Sequence, residues 1–344
     1  MPSDLILLTG STGHVGFKVL VQALELGYSV RAAIRDPSKS SKIQSTESIK
    51  LLNPGPRLSF VTVPDITVDG AYDEAVKSVK YVIHIASPLP KSPIEPEEYE
   101  NQLIAPAVKG TLGMLQSVNR TPGIKRVVIT GSIASITPPE ILLNGTDKVV
   151  DESTEAEVAV APFPHYFVAY YSSKIAAYQA TKYFIAKEQP AFDIVTLMPT
   201  FVIGKNELVT DPTMITDGSN GLAFRQILGE NFSPMVGCTV HVDDVARAHV
   251  STLDLKVPGN GHFVLNSGEL NGTVWGDAIN IVARNYPKAV AAGILPNNGA
   301  ITTMKIPINA SKAEKALGIK FLSYEEQIKS VTGHYLELVG AEAA

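Results

Sequence analysis

Leu5-Ile-Leu-Leu-Thr-Gly-Ser-Thr-Gly-His-Val-Gly16 decides how the rest of the chain is read. The apolar run at 5–8 suits a strand covered on both faces, and three glycines follow it directly, ahead of an amphipathic stretch over 15–26. Strand, glycine turn and helix in that order open a doubly wound α/β sheet, and the turn is where a backbone can approach a pyrophosphate. Gly10 is expected to make the tight turn, Gly13 to leave room for the pyrophosphate, and Gly16 to let the helix pack closely on the sheet. Thr9, Gly10, Thr12, Gly13, His14, Val15 and Gly16 are the candidate cofactor contacts of this loop, with no catalytic role for His14. The spacing Gly-x-x-Gly-x-x-Gly differs from the commoner Gly-x-Gly-x-x-Gly fingerprint.

Outward from the loop, short β-rich runs alternate with longer amphipathic stretches to about residue 200, as a Rossmann-type parallel sheet requires. Strands are predicted at 5–8, 29–34, 58–63, 81–85, 126–130 and 194–198, and helices at 15–26, 102–118 and 166–186. Beyond Pro199 the rhythm loosens, with turn-rich stretches around a helix at 222–228. Strand-like runs return at 239–242 and 262–265, separated by a helix at 243–255, so the chain is expected to re-enter the main sheet. The predicted division is a dinucleotide-binding domain over 1–198, with 239–267 returning to it, and a smaller, discontinuous substrate lobe over 199–238 and 268–344. No fixed-period repeat interrupts this pattern, and the tail at 340–344 is expected to fray.

Composition narrows the partners. A net charge of −5 over 344 residues supplies no basic field for nucleic acid or anionic lipid. Cys238 is the only cysteine, so neither an intrachain disulfide nor a cysteine-held metal is expected. The four residues before Leu5 carry no basic leader and the apolar run is short, so a cytoplasmic monomer or homodimer is the expectation.

Two further segments carry chemistry. The second predicted strand runs into Val30-Arg-Ala-Ala-Ile-Arg-Asp36, where such a fold chooses its dinucleotide. An acid at the strand tip bonds the ribose of NAD, whereas an arginine pairs with the 2'-phosphate of NADP. Arg35 is the better placed residue, with Lys42 as a helper, and Asp36 on the ribose is the alternative. In Ala169-Tyr-Tyr-Ser-Ser-Lys174, Tyr170 and Lys174 stand one helical turn apart on one face. An ammonium held near a phenol favours the phenolate, so Lys174 is expected to lower the Tyr170 pKa and ready it for proton transfer. Ser132, after the fifth strand, completes the candidate catalytic set by hydrogen-bonding the same substrate oxygen. Tyr171 competes with Tyr170, and Ser135 with Ser132.

Taken together, Thr9 to Gly16, Val30 to Pro37, Asp65-Ile66, His84-Ile-Ala-Ser-Pro88, Val108-Lys-Gly-Thr111, Thr130-Gly-Ser132, Tyr170 to Lys174, Met198-Pro-Thr200, His241-Val-Asp-Asp244 and Ser311 to Gly318 resemble the extended short-chain dehydrogenases/reductases. The likeness is greatest to the dihydroflavonol, cinnamoyl-CoA and yeast-type carbonyl reductase group, and it covers nearly the whole chain. The resemblance implies Asp65 and Ile66 near the adenine, Ala86, Ser87 and Pro88 along the ribose and phosphates, and Pro199 and Thr200 beside the nicotinamide. Gly131 departs from the serine or threonine that many members place before the catalytic serine. The reading is an NADPH-dependent reductase of a small, apolar ketone or aldehyde, with Pro88, Ser132, Phe163, Tyr170, Phe201 and Phe224 toward the substrate. An epimerase or hydroxysteroid dehydrogenase on the same fold, and a dinucleotide-sensing regulator without turnover, are the alternatives.

Overall fold

The computed structural model describes residues 4–88 and 94–341. The expectations about the chain's first residues and its fraying tail fall largely on 1–3 and 342–344, which lie outside the described residues. In chain order the elements are β1 (Leu5–Thr9), α1 (His14–Glu25), β2 (Ser29–Ile34), α2 (Lys39–Gln44), α3 (Glu47–Leu52), β3 (Leu58–Thr62), β4 (Tyr81–His84), α4 (Ala105–Asn119), β5 (Arg126–Thr130), α5 (Pro139–Asn144), α6 (Tyr166–Glu188) and β6 (Asp193–Pro199). They continue as β7 (Phe201–Ile203), α7 (Asn220–Ile227), β8 (Asn231–Val236), β9 (Thr239–His241), α8 (Val242–Ser251), β10 (Gly261–Leu265), α9 (Asp277–Asn285), α10 (Pro287–Ala291), β11 (Ala300–Met304), α11 (Ser311–Leu317) and α12 (Tyr324–Leu338).

The main sheet has seven strands in the order β10-β6-β5-β4-β1-β2-β3. The order reverses at β1, which pairs in parallel with both β2 and β4. Ile6, Leu7 and Leu8 are wholly buried, so β1 reads as a continuous apolar run because both of its faces are covered. Loops at the carboxyl ends of strands beside such a reversal are where open α/β sheets bind ligands, and the glycine loop leaves β1 there. One side of this sheet is packed by Val76, Val82, Met114, Leu115, Val127, Phe184 and Ile194.

The chain forms two compact units. The first runs to Pro139 and adds Glu152–Met198 and Ala246–Phe263; the second takes Glu140–Asp151, Pro199–Val245 and the chain from Val264. Within the first unit, Arg126 of β5 is fully buried and holds the late segment in place. Its guanidinium donates to the carbonyls of Thr252, Asp254 and Val257 at 2.7–2.9 Å and to Asp193 at 2.9 Å. The return to the sheet is narrower than 239–267. β9 pairs with β7 in a separate two-stranded sheet, with Phe201 opposite Thr239, and only β10 joins the main sheet.

The second unit has its own apolar core, in which α7, α9 and α12 contribute Phe224, Ile227, Ile281, Val282, Ile328 and Val331 around Trp275. Trp275 donates its indole N–H to Val236 O at 3.0 Å, and Gln226 donates to Trp275 O at 2.8 Å. Among the described residues no helix is long and apolar enough to cross a membrane.

Candidate active site

The glycine loop is shaped by its own backbone. Gly10 has φ +79°, and a Cβ there would lie 2.9 Å from Ala86 N, so only glycine fits where the loop meets the segment after β4. Gly16 differs from expectation: a Cβ there would sit 2.0 Å from Gly10 O, so its missing side chain admits the loop's carbonyl rather than the sheet. At Gly13 the nearest described atom would be 3.5 Å from a Cβ, an ordinary contact. Gly13 caps α1 without a side-chain bond, and the first turn of α1 holds no acidic residue. The helix therefore turns the N–H groups of its first turn and its positive end toward an anion. Thr12 and Gly13 are exposed, and His14 and Val15 partly so. Thr9 is buried instead, where its hydroxyl accepts the N–H groups of Ile85 at 3.1 Å and Ala86 at 3.0 Å. The single hydroxyl proton of Thr9 is left for His84 Nδ1 at 3.0 Å, which puts the His84 proton on Nε2. Burial, with the nearby charge of Lys174 adding to it, pushes His84 down to about 4, so the ring is neutral. Thr9 thus ties the loop to β4, and its hydroxyl has no proton to spare for a cofactor.

At the tip of β2, Arg35 is exposed. The Asp36 carboxylate accepts Ser38 N–H at 2.9 Å, a bond that holds its pKa below the usual range. Asp65 is engaged in the same way, accepting Thr67 N–H at 2.8 Å and the Thr67 hydroxyl at 2.7 Å, with Arg35 close enough to add to its lowered pKa. Lys42 is exposed on α2. Ile66 and Pro88 both approach the bare face of Gly110 on α4.

Helix α6 carries the titratable pair. Lys174 Nζ sits 5.4 Å from the centroid of the Tyr170 ring and donates to Ser87 Oγ at 3.0 Å. Burial pushes Lys174 down to about 8 and pushes the Tyr170 phenol up. The expected lowering of Tyr170 is therefore not met: loss of hydration outweighs the pull of an ammonium that lies over the ring. Tyr171 turns the other way, buried and stacked on Phe167. A cavity of about 30 Å³ adjoins Lys174, lined by apolar Ala107, Ile129 and Ala177 together with His84, Ser87 and Tyr178. Tyr178, one turn past Lys174, lines this cavity at i, i+4 spacing, and its hydroxyl is engaged with His262 Nδ1 at 2.8 Å.

Ser132 begins a short 3-10 turn. Its hydroxyl accepts Ala134 N–H at 3.2 Å while Ser135 Oγ accepts Ser132 N–H at 3.2 Å. Ser135 is thereby buried and committed to the turn, whereas Ser132 is partly exposed and keeps its hydroxyl proton. Gly131 is explained by crowding, since a Cβ there would lie 3.0 Å from Thr196 Cγ2.

The apolar candidates divide. Phe163 is buried with its ring edge-on to Tyr99. In the second unit Thr200 donates through both its N–H and its hydroxyl to Leu265 O, at 3.1 and 3.2 Å. Pro199 closes β6 beside it. Phe201 remains partly exposed and tilts against Trp275 at 5.9 Å. Phe224 does not meet its expectation: it is wholly buried in the core of that unit against Tyr335, with no surface to offer a substrate.

Comparison with known proteins agrees with this architecture. Residues 6–266 match the family described as the NAD dependent epimerase/dehydratase family. A ketoreductase of Cercospora beticola is 36% identical over 347 residues, covering 98% of this chain and 96% of the relative. An NAD-dependent epimerase/dehydratase of Alternaria alternata is 38% identical over 351 residues, covering 95% and 96%. The crystal structure of yeast methylglyoxal/isovaleraldehyde reductase complexed with NADPH superposes with a TM-score of 0.84 over 98% of this chain and 100% of that one, at 21% identity, a likeness of fold. With its reversed parallel sheet, its glycine loop and a family match over three quarters of its length, the chain belongs to the NAD dependent epimerase/dehydratase family and is an extended short-chain dehydrogenase/reductase.

Proposed function

We propose that this protein reduces a ketone or aldehyde to an alcohol using NADPH. The observation that carries the reading is the row formed by Ser87, Lys174 and Tyr170, with Ser132 in the same unit retaining a donor hydroxyl. The chain's own residues fit the dinucleotide. A Cβ is excluded at Gly10 and Gly16 by backbone, the protein leaves space at Gly13, and the uncapped start of α1 faces that space. When bound, NADPH supplies the hydride for the carbonyl carbon.

Ser132 donates a hydrogen bond from its hydroxyl to the carbonyl oxygen, keeping its proton, and so fixes that oxygen's position. Tyr170 then gives its Oη proton to that oxygen as negative charge builds there. A phenol raised by burial is fully protonated at neutral pH, which suits an acid serving reduction, and an alkoxide is basic enough to take its proton. Lys174, protonated below its pKa of about 8, stabilises the phenolate left behind and is placed to hold the nicotinamide ribose. Ser87 orients that ammonium.

For the choice of cofactor, Arg35 beyond β2 supports NADPH, and the engagement of Asp36 with Ser38 weakens the alternative of an acid on the ribose. The epimerase alternative needs cations for a diphosphate. In the second unit Arg225 and Arg284 are each paired with a carboxylate at 2.8 Å, Glu230 and Glu325 respectively. The names of the two relatives, a ketoreductase and an epimerase/dehydratase, leave both chemistries within the family, and the protonated Tyr170 favours reduction.

The test is single-turnover hydride transfer with saturating NADPH and a ketone that the unmodified protein reduces. Tyr170→Phe is expected to bind NADPH and lose roughly two to four orders of magnitude in rate, the scale of general acid catalysis, while Tyr171→Phe remains active. Near-normal transfer by Tyr170→Phe would remove the proposed acid, and no turnover of any carbonyl by the unmodified protein would favour a dinucleotide sensor.

A further inference from the structure

Among the described residues no hydrogen bond fixes the Tyr170 hydroxyl, and its ring lies against other rings and a charge. Its neighbours are Tyr166 one turn before it, Lys174 one turn after it and Tyr171 edge-on at 5.9 Å. Tyr166 is the one that sets a plane: its ring lies within 17° of parallel to Tyr170, with centroids 6.3 Å apart, an offset stack. Tyr166 is itself held from the side by Tyr99 at 6.2 Å and 73° and by Phe167 at 5.9 Å and 71°. Tyr99 is buried, and it packs edge-on against buried Phe163 at 6.3 Å. A buried pair of rings outside α6 therefore fixes Tyr166, and Tyr166 in turn limits the rotamers open to Tyr170. Tyr166 remains 36% exposed, more than a side chain kept only for core packing would be.

We infer that Tyr166 is a positioning residue for the acid: through its stacked ring it holds Tyr170 in the rotamer that delivers the proton, and it does so by shape, without its hydroxyl. This rests on the assignment of Tyr170 as proton donor. Proton transfer requires donor and acceptor within hydrogen-bond reach, so a ring free to visit other staggered rotamers spends less time in the productive one. The cost falls on turnover and spares the binding of either reactant.

The experiment compares Tyr166→Leu and Tyr166→Phe with the unmodified enzyme in steady-state NADPH oxidation, with Tyr170→Phe alongside and thermal unfolding measured for all four. Tyr166→Leu should lower kcat about tenfold with KM for NADPH and for the ketone within about twofold, and Tyr166→Phe should restore kcat, because the ring is kept. A Tyr166→Leu variant that unfolds more readily is read at a temperature where it is fully folded, and the kcat loss must persist there. A wild-type kcat in Tyr166→Leu, or a loss confined to KM for the ketone, overturns the positioning role. A Tyr166→Phe variant as impaired as Tyr166→Leu overturns it too, since the hydroxyl would then be the working group. If Tyr170→Phe keeps its turnover, the acid assignment itself falls. If Tyr170→Phe is inactive while Tyr166→Leu is normal, only the stacked positioning is lost.

Discussion

Lys174 is a partly buried ammonium with Ser87 as its polar neighbour, and that burial has a cost which depends on pH. Its pKa falls from an ordinary 10.5 to about 8 on folding, so between those values the unfolded chain binds the extra proton. Stability from this group is complete above about 10.5 and is lost as pH falls to about 8. Relative to Lys174→Met, the unmodified protein should gain about 1.4 kcal/mol of unfolding free energy per pH unit between 8 and 10, and nothing between 6 and 7. Urea unfolding of both proteins across that range reads the difference directly, and parallel curves would mean that Lys174 is better hydrated than its burial implies. Arg35 makes a second prediction at this scale. A charge-assisted bond to the 2'-phosphate contributes about 1.5–3 kcal/mol, so Arg35→Ala should raise KM for NADPH at least tenfold and change KM for NADH little. Equal kcat/KM for the two cofactors in the unmodified protein would remove the basis for this assignment.

Among the elements, the glycine loop separates two kinds of glycine. Gly16→Ala drives a methyl into the Gly10 carbonyl, so the loop must move, and both thermal stability and dinucleotide affinity should fall. Gly13→Ala meets only an ordinary protein contact, so its loss should appear in dinucleotide affinity with the melting temperature nearly unchanged. Equal effects of the two substitutions on melting would show that Gly13 is also a structural requirement of the chain. The same scale shows what the sequence could reveal. β1 and β5 were readable because strands buried on both faces carry continuous apolar runs, and α6 because a long helix carried Tyr170 and Lys174 in one turn. β9 misled because a three-residue buried strand looks the same whichever sheet it joins. Phe224 misled in a related way: Ala223, Phe224 and Ile227 follow helical core spacing, and the core is where they are. Helices α9 to α12 have no counterpart in the sequence reading: α9, α10 and α11 are short and offer too few turns for a period to emerge, whereas α12, at 15 residues, was long enough to read. The pKa direction at Tyr170 was inaccessible because it depends on burial in three dimensions, which spacing along a helix does not report.

At the scale of the whole molecule, the first unit is stitched from segments far apart in the chain, and Arg126 is the stitch. Removing its charge leaves three carbonyls without their donor, those of Thr252 and Val257 in buried bonds, so Arg126→Met should cost about 3–5 kcal/mol, as other broken buried networks do. Chemical denaturation would measure it, and a loss under 1 kcal/mol would mean that the late segment is held mainly by packing. Residues 1–198 are accordingly an incomplete version of this unit, because they contain Arg126 without the carbonyls it serves.

The strand order also carries a consequence for how the protein is made. β6 is finished at Pro199, yet its neighbour β10 begins only at Gly261. At about 5–20 residues per second, a ribosome needs roughly 3–12 s to make the intervening chain. During that interval the nascent sheet has a free edge along β6, an apolar strand able to pair with any extended segment nearby. Newly synthesised chains should therefore be most dependent on chaperones, and most open to misassembly with one another on a polysome, after β6 has emerged and before β10 has.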